Sequence, residues 1–298
     1  MPLPFKAAAL AISLLAGVAL GENPSQKKLN VLTTFAPIEC FAANVSGDAA
    51  QVSVLLPPAS GPHNYAFSPS DIRKLGSADV VIENGLGLET WLEKGIRSAG
   101  KKDLLLVDTS KGIDRITGSD AENIAGSVNP HIWLSPLCAM KQVENIRDAL
   151  VSRDPANAST YQQNAERYID RLKVLDSEIR SETASLGNKN LVTFHDVFPY
   201  FAREYGFRIV ATFETSPDQS PLPKRLERLR TILASEKVGA FFAESSYNSK
   251  PLEIFAREFR LPVVQMDSME TGEGNATFYE RVTRSNLNKM VEALNDRK

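Results

Sequence analysis

The middle of the chain reads, from residue 154 to residue 187, DPANASTYQQNAERYIDRLKVLDSEIRSETASLG. Apolar side chains recur here at spacings of three and four residues, the period of one face of an α-helix, at Tyr161, Ala165, Tyr168, Ile169, Leu172, Leu175 and Ile179. Asp154 and Pro155 are typical of a helix start, and Gly187 is typical of a helix end. The pattern predicts one helix of about 25–30 residues, about 40 Å long at about 1.5 Å per residue.

On each side of this helix, short apolar runs alternate with amphipathic stretches. Four runs precede it and four follow: Asn30–Thr33, Gln51–Leu56, Asp79–Glu83, Leu104–Asp108, Leu191–Phe194, Arg208–Thr212, Gly239–Ala243 and Pro262–Met266. Continuous apolar runs are typical of strands buried on both faces of a parallel sheet, and their alternation with helices predicts an α/β protein. We therefore expect two Rossmann-like lobes, each with a mainly parallel four-stranded sheet, joined by the long rigid helix. The expected bounds are 28–153 for the N-terminal lobe, 154–187 for the linking helix and 188–298 for the C-terminal lobe.

The first residues have the pattern of a secretory signal peptide. Lys6 precedes the apolar stretch Ala7–Leu20, and Ala19 and Gly21 supply the small residues of a cleavage site. The stretch is shorter than the roughly 20 residues that a membrane span needs. We expect residues 1–21 to be removed on export to the periplasm, with no lipid anchor because no cysteine sits at the cleavage point. A buried N-terminal helix is the alternative.

The composition excludes several classes of protein. The formal net charge is −2, so the chain lacks the basic surface that nucleic-acid binding requires. Hydrophobic residues are 43% of the chain, an ordinary globular value. There are two cysteines, Cys40 and Cys138, which are too few for a disulfide framework. The sequence is compatible with a single disulfide bridge between them and also with two free thiols.

The three histidines of the chain each follow a predicted strand. His63 follows the second strand, His131 follows the loop after the fourth, and His195 ends the fifth. Asp267 comes directly after the eighth strand. Ligands of open α/β sheets bind outside the carboxyl ends of the strands, so we expect these four side chains to meet between the lobes.

Imidazole nitrogens with a carboxylate oxygen suit zinc, manganese or iron(II) better than calcium or magnesium. Three imidazoles and one carboxylate also make a tetrahedral set that zinc accepts. Glu244, at another strand end, is either a ligand or a partner that orients an imidazole, and we favour the second role. Because isolated histidines are more often surface or hydrogen-bonded core residues, the pattern alone leaves the metal site as one of several interpretations.

Six stretches add a more specific signal, in this order along the chain: Gly61–Asp71, Ala78–Leu92, Asn129–Pro136, His195–Ala202, Phe242–Glu244 and Met266–Asp267. Together they resemble the metal-specific solute-binding proteins of ABC transporters. The resemblance covers nearly the whole mature chain and implies two α/β lobes bridged by one rigid helix. It also implies that the metal ligands are His63, His131, His195 and Asp267.

The same resemblance implies a function. Proteins of this family capture zinc, manganese or iron outside the cytoplasmic membrane and deliver it to the cognate membrane permease of an ABC transporter. We expect a monomer without enzymatic activity. His195 stands where manganese-preferring members often have glutamate, so we expect Zn²⁺, with Mn²⁺ or iron as the alternative. A zinc hydrolase with Glu244 or Asp196 as general base is a further alternative.

Several segments depart from the pattern of the family. Residues 111–130 contain no histidine, whereas many zinc-binding members carry a histidine-rich loop at this point. Residues 268–274, SMETGEG, also differ from the common form after the last ligand. We therefore expect no metal scavenging by the first segment.

Overall fold

The computed structural model describes residues 27–117, 128–214, 223–245 and 250–295. The signal peptide predicted over residues 1–21 lies outside this part of the chain. No helix within the described ranges has both the length and the apolar character needed to cross a membrane.

The first half of the chain forms a four-stranded parallel sheet. Its strands are β1 (Leu29–Thr33), β2 (Ala50–Val54), β3 (Val80–Glu83) and β4 (Leu105–Asp108), in the order β2-β1-β3-β4. The helices of this half are α1 (Ala36–Ser46), α2 (Pro69–Ser77), α3 (Leu92–Ala99) and α4 (Pro136–Arg153). All four strands overlap the apolar runs that predicted them.

The second half repeats this arrangement. Its strands are β5 (Asn190–Thr193), β6 (Arg208–Thr212), β7 (Ala240–Glu244) and β8 (Val263–Met266), parallel and in the order β6-β5-β7-β8. The accompanying helices are α6 (Pro199–Tyr205), α7 (Pro223–Ser235), α8 (Lys250–Glu258) and α9 (Phe278–Asn295). The predicted α/β class with two parallel four-stranded sheets is therefore confirmed.

The long helix between the sheets is α5 (Ala158–Ala184), 27 residues in length. Its start is held by Asp154, whose Oδ2 accepts hydrogen bonds from the Tyr161 hydroxyl and the Asn157 amide, each at 2.7 Å. Six of the seven apolar side chains that predicted the helix are fully buried, and burying each large one contributes about 1.5–3 kcal/mol. The apolar face, rather than helix propensity, therefore holds α5 in place.

The last helix, α9, returns to the first half of the molecule. It packs against α1 and α5 as well as against β8. The rings of Phe41 on α1 and Tyr279 on α9 lie 5.0 Å apart, edge to face. Because α9 lies after residue 188 and contacts helices that lie before it, the expected lobe boundaries stay a prediction.

Both cysteines are buried free thiols, so the open question of a bridge is resolved in favour of thiols. Burial raises the pKa of Cys40 and of Cys138 to about 11 in each case. Neither is therefore present as a thiolate, the form that binds metals, at neutral pH.

Candidate metal centre

His63 reaches the centre from the loop between β2 and α2. The loop is held where Trp91 Nε1 donates a hydrogen bond to the Pro62 carbonyl at 2.7 Å. Downstream of His63, Ser68 and Asp71 form a capping box that starts α2. The His63 side chain is 27% exposed, more than any other side chain of the centre. It therefore lies at the mouth of the site.

His131 is oriented by its neighbour Asn129. Asn129 Oδ1 accepts hydrogen bonds from the backbone N and the ring Nδ1 of His131, both at 3.0 Å. The amide orientation is fixed because Asn129 Nδ2 donates to the Asp196 carbonyl at 2.7 Å. An amide oxygen only accepts, so the proton is on Nδ1 and the lone pair of Nε2 faces the centre.

His195 is oriented from the next strand of its own sheet. Thr193 of β5 pairs with Phe242 of β7, so two residues further on His195 comes opposite Glu244. His195 Nδ1 and Glu244 Oε2 are in close contact, and Glu244 Oε1 accepts a hydrogen bond from the His195 backbone N at 3.4 Å. Because Nδ1 faces Glu244, Nε2 is the ring nitrogen that faces the centre.

The fourth side chain of the centre is Glu270. Its Oε1 lies 3.2 Å from His63 Nε2, 3.6 Å from His131 Nε2 and 3.8 Å from His195 Nε2. The two nitrogens His63 Nε2 and His131 Nε2 are 3.2 Å apart. These four residues are the group within the described ranges whose donor atoms all lie within 4.8 Å of one another.

Asp267, the expected carboxylate ligand, is not a member of this group, and Glu270 is found in its place. Asp267 Oδ1 accepts a hydrogen bond from Met269 N at 2.8 Å, which closes a turn directly after β8. Met269 has a left-handed backbone, with φ of 60°, and the turn carries the chain on to Glu270. The signal available in the sequence was a second acid, Glu270, three residues after Asp267. Because Asp267 is the first polar residue after the strand, the sequence pattern points to Asp267 before Glu270.

Burial makes two of the histidines poor bases. It lowers the pKa of His131 to about 3 and the pKa of His195 to about 4, so both rings are neutral at physiological pH. Neutral imidazole is the form that binds a metal ion. His63 differs: burial lowers its pKa, but the hydrogen bond and charge of Glu270, with the charges of Glu244 and Glu89, leave it above the ordinary value.

The two buried carboxyl groups titrate in opposite directions. Burial by itself raises the pKa of Glu270, but hydrogen bonds with His131 and His63 and the nearby imidazoles lower it well below the ordinary range. Burial and the charge of Glu270 raise the pKa of Glu244 well above it. The centre therefore has one carboxylate that stays ionised and faces three imidazoles.

Trp133 closes the centre on its inner side. Its ring is fully buried and lies 5.1 Å from the ring of His131, edge to face. The indole Nε1 donates to the Ser268 carbonyl at 2.8 Å. Tyr65 packs further out, with its ring 5.3 Å from that of Trp91.

The chain is similar in sequence and in structure to known proteins. Residues 31–293 match the ZnuA family model, described as the periplasmic zinc-uptake complex component A. The iron-binding protein YfeA of Yersinia pestis is 35% identical over 275 residues, covering 90% of this chain and 88% of the relative. The high-affinity zinc uptake system protein ZnuA of Bacillus subtilis is 31% identical over 280 residues, with the same two coverages of 90% and 88%. The structure of the solute-binding protein FpvC from Pseudomonas aeruginosa with Mn²⁺ superposes with a TM-score of 0.84 at 29% identity, covering 91% of this chain and 100% of that one.

Proposed function

This chain belongs to the metal-specific substrate-binding proteins of ABC transporters, and from that membership we propose that it captures one divalent transition-metal ion, zinc in the first place, and delivers it to a membrane permease. The observation that carries the proposal is that three imidazole nitrogens and one carboxylate oxygen all lie within 4.8 Å of one another. The metal is cargo, so the site has to hold it reversibly.

We propose His63, His131, His195 and Glu270 as the four ligands. A tetrahedral zinc site with bonds of about 2.0–2.1 Å has about 3.3–3.4 Å between neighbouring donor atoms. The separations of 3.2 to 3.8 Å from Glu270 Oε1 to the three nitrogens support such a site. The neutral state of His131 and His195 supports it as well, because neither ring has to lose a proton to bind.

The choice of zinc rests on the donor set. Three imidazoles and a single carboxylate suit zinc, whereas manganese prefers a larger share of oxygen donors. Among the relatives, ZnuA is named for zinc, YfeA for iron, and FpvC was solved with Mn²⁺, so manganese and iron are the alternatives.

A competitive titration of metal-stripped protein tests the choice. Zinc should displace manganese when the two are present at equal concentrations, as followed by fluorescence of Trp133 or by elemental analysis after desalting. Retention of manganese under these conditions would overturn the zinc assignment but leave the ligand set intact.

A carrier is favoured over a zinc hydrolase because four protein donors fill a tetrahedron. A catalytic zinc keeps one position open for water. X-ray absorption spectroscopy of the zinc-loaded protein should give three nitrogen donors and one carboxylate. A spectrum with one fewer protein donor and a bound water would favour the hydrolase.

We further propose that the protein is exported to the periplasm as a monomer. The support is the pattern of residues 1–21, a basic residue followed by an apolar stretch and a small-residue cleavage site. Mass spectrometry of the protein recovered from the cell envelope should place the mature N-terminus at residue 22. Retention of the first 21 residues would contradict cleavage.

A further inference from the structure

The segment that carries Glu270 leaves the second sheet and lies against the first half of the molecule. We call residues 268–276 the ligand loop. Before it, Asn286 of α9 holds the backbone of Asp267 on both sides, accepting from its N at 2.9 Å and donating to its carbonyl at 2.8 Å. The turn at Met269 then directs the loop away from β8.

In addition to the contact of Glu270 with His63, hydrogen bonds join the rest of the ligand loop to residues of the first half. They are Trp133 Nε1 to Ser268 O at 2.8 Å, Gly272 N to Pro58 O at 2.7 Å, Gly274 N to Glu39 Oε2 at 3.0 Å and Asn44 Nδ2 to Ala276 O at 2.9 Å. Ser268 lies two residues before Glu270, and Gly272 lies two residues after it. The backbone on both sides of Glu270 is therefore attached to the first half.

The contact at Gly274 leaves no room for a side chain. A Cβ atom at this position would lie 2.2 Å from the Ala36 carbonyl and 2.7 Å from the Glu39 Cβ, so only glycine fits. Glu39 is half-buried on the first turn of α1, and its carboxylate accepts from Gly274 N. A hydrogen bond to a charged acceptor is about twice as strong as one between neutral groups.

We propose that Glu39 is a positioning residue for metal binding, which fastens the ligand loop to α1 and so holds Glu270 beside His63 and His131. The inference rests on the proposed function, since it assumes that Glu270 is a ligand. It follows that three of the four ligands belong to one unit built on the first half, and that His195 is the ligand the second sheet contributes.

The test compares Glu39→Ala with Glu39→Gln in the full chain loaded with zinc. Loss of the anchor should speed zinc release to a chelator by about tenfold, the lower end of the range for residues that support a ligand. Glutamine keeps an oxygen that accepts from Gly274 N and should recover most of the difference. Glu144→Ala is the matched control, because Glu144 is a partly exposed glutamate on α4 that pairs with Lys141.

A double-mutant cycle separates positioning from a general loss of stability. If Glu39 acts through Glu270, Glu39→Ala should add nothing further to the release rate of a Glu270→Ala protein. Fully additive effects would overturn the inference, as would a Glu39→Ala protein with a lower melting temperature and an unchanged release rate. Gly274→Ala should displace the same loop and gives a second route should Glu39→Ala not fold.

The two proposals fail in different ways. Glu270→Ala with unchanged zinc affinity refutes the ligand set itself. A large loss in Glu270→Ala together with normal release in both Glu39→Ala and Gly274→Ala refutes only the positioning role of Glu39.

Discussion

The two sides of the metal centre are built by different means. On the first side, His63, His131 and Glu270 lie on loops. Each of these loops is held by hydrogen bonds with a buried or half-buried side chain, namely Trp91, Asn129 and Trp133 in turn. On the second side, His195 is the single donor, held by Glu244 from the neighbouring strand. Loops can bring metal-binding side chains from distant parts of the chain close together. Adjacent strands instead fix one metal-binding side chain and its neighbour in register. The first side therefore supplies three of the four proposed ligands, and the second side supplies the one that completes the set.

The largest expected effect comes from removing the carboxylate of the first side. Glu270→Ala should weaken zinc binding by more than about 100-fold, beyond the range known for supporting residues, because the centre loses both a donor and its negative charge. Isothermal titration with a competing chelator measures the change.

Asp267→Asn is the matched control for that variant. Asparagine keeps the oxygen that accepts from Met269 N, so zinc affinity should stay close to that of the parent. A larger loss in Asp267→Asn than in Glu270→Ala would restore Asp267 as the ligand and remove the asymmetry between the two sides.

A smaller effect is expected on the second side, from Glu244→Leu. Leucine has a similar volume but leaves His195 Nδ1 without its carboxylate, so zinc affinity should fall by about 10-fold to 100-fold. Glutamine at this position can still accept from Nδ1 and should cost less. Nitrogen NMR of His195 in the metal-free protein reports the tautomer, and an unchanged Nδ1–H form in Glu244→Leu would count against the role of Glu244.

The smallest expected effect is the dependence on pH, and it separates His63 from the other two histidines. Glu270 raises the pKa of His63, so the ion pair of protonated His63 with Glu270 stabilises the metal-free protein. This stabilisation is fully present when the pH is below the ordinary pKa of histidine. It is lost as the pH rises through the raised pKa of His63. Below the raised value, zinc must displace the His63 proton, and affinity should fall by about tenfold per pH unit.

His131 and His195, with pKa values of about 3 and 4, release no proton in this range. Calorimetry at pH 6 in buffers of different ionisation enthalpy should therefore detect about one proton released per zinc ion bound. Release of three protons would show that the three imidazoles are equivalent and that burial does not distinguish them.

Much of the fold was predictable because its signals are local. The apolar runs located all eight strands to within two residues at each end, and the period of three and four residues located α5. The meeting of the three histidines could also be expected, because each follows a strand and parallel strands end at the same edge.

The fourth donor was not predictable in this way. Its place depends on the turn closed by Asp267 and Met269 and on contacts such as that between Glu39 and Gly274, which are 235 residues apart in the chain. No local period or spacing encodes a hydrogen bond across that distance. The return of α9 to α1 escaped prediction for the same reason.

The sequence by itself therefore determined the two sheets, the helix between them and the three imidazoles, since hydrophobic period and strand ends are properties of neighbouring residues. Only the tertiary structure decided which carboxylate joins the imidazoles and which half of the molecule holds it. Those choices depend on a left-handed turn and on hydrogen bonds between distant segments, which exist only once the chain has folded.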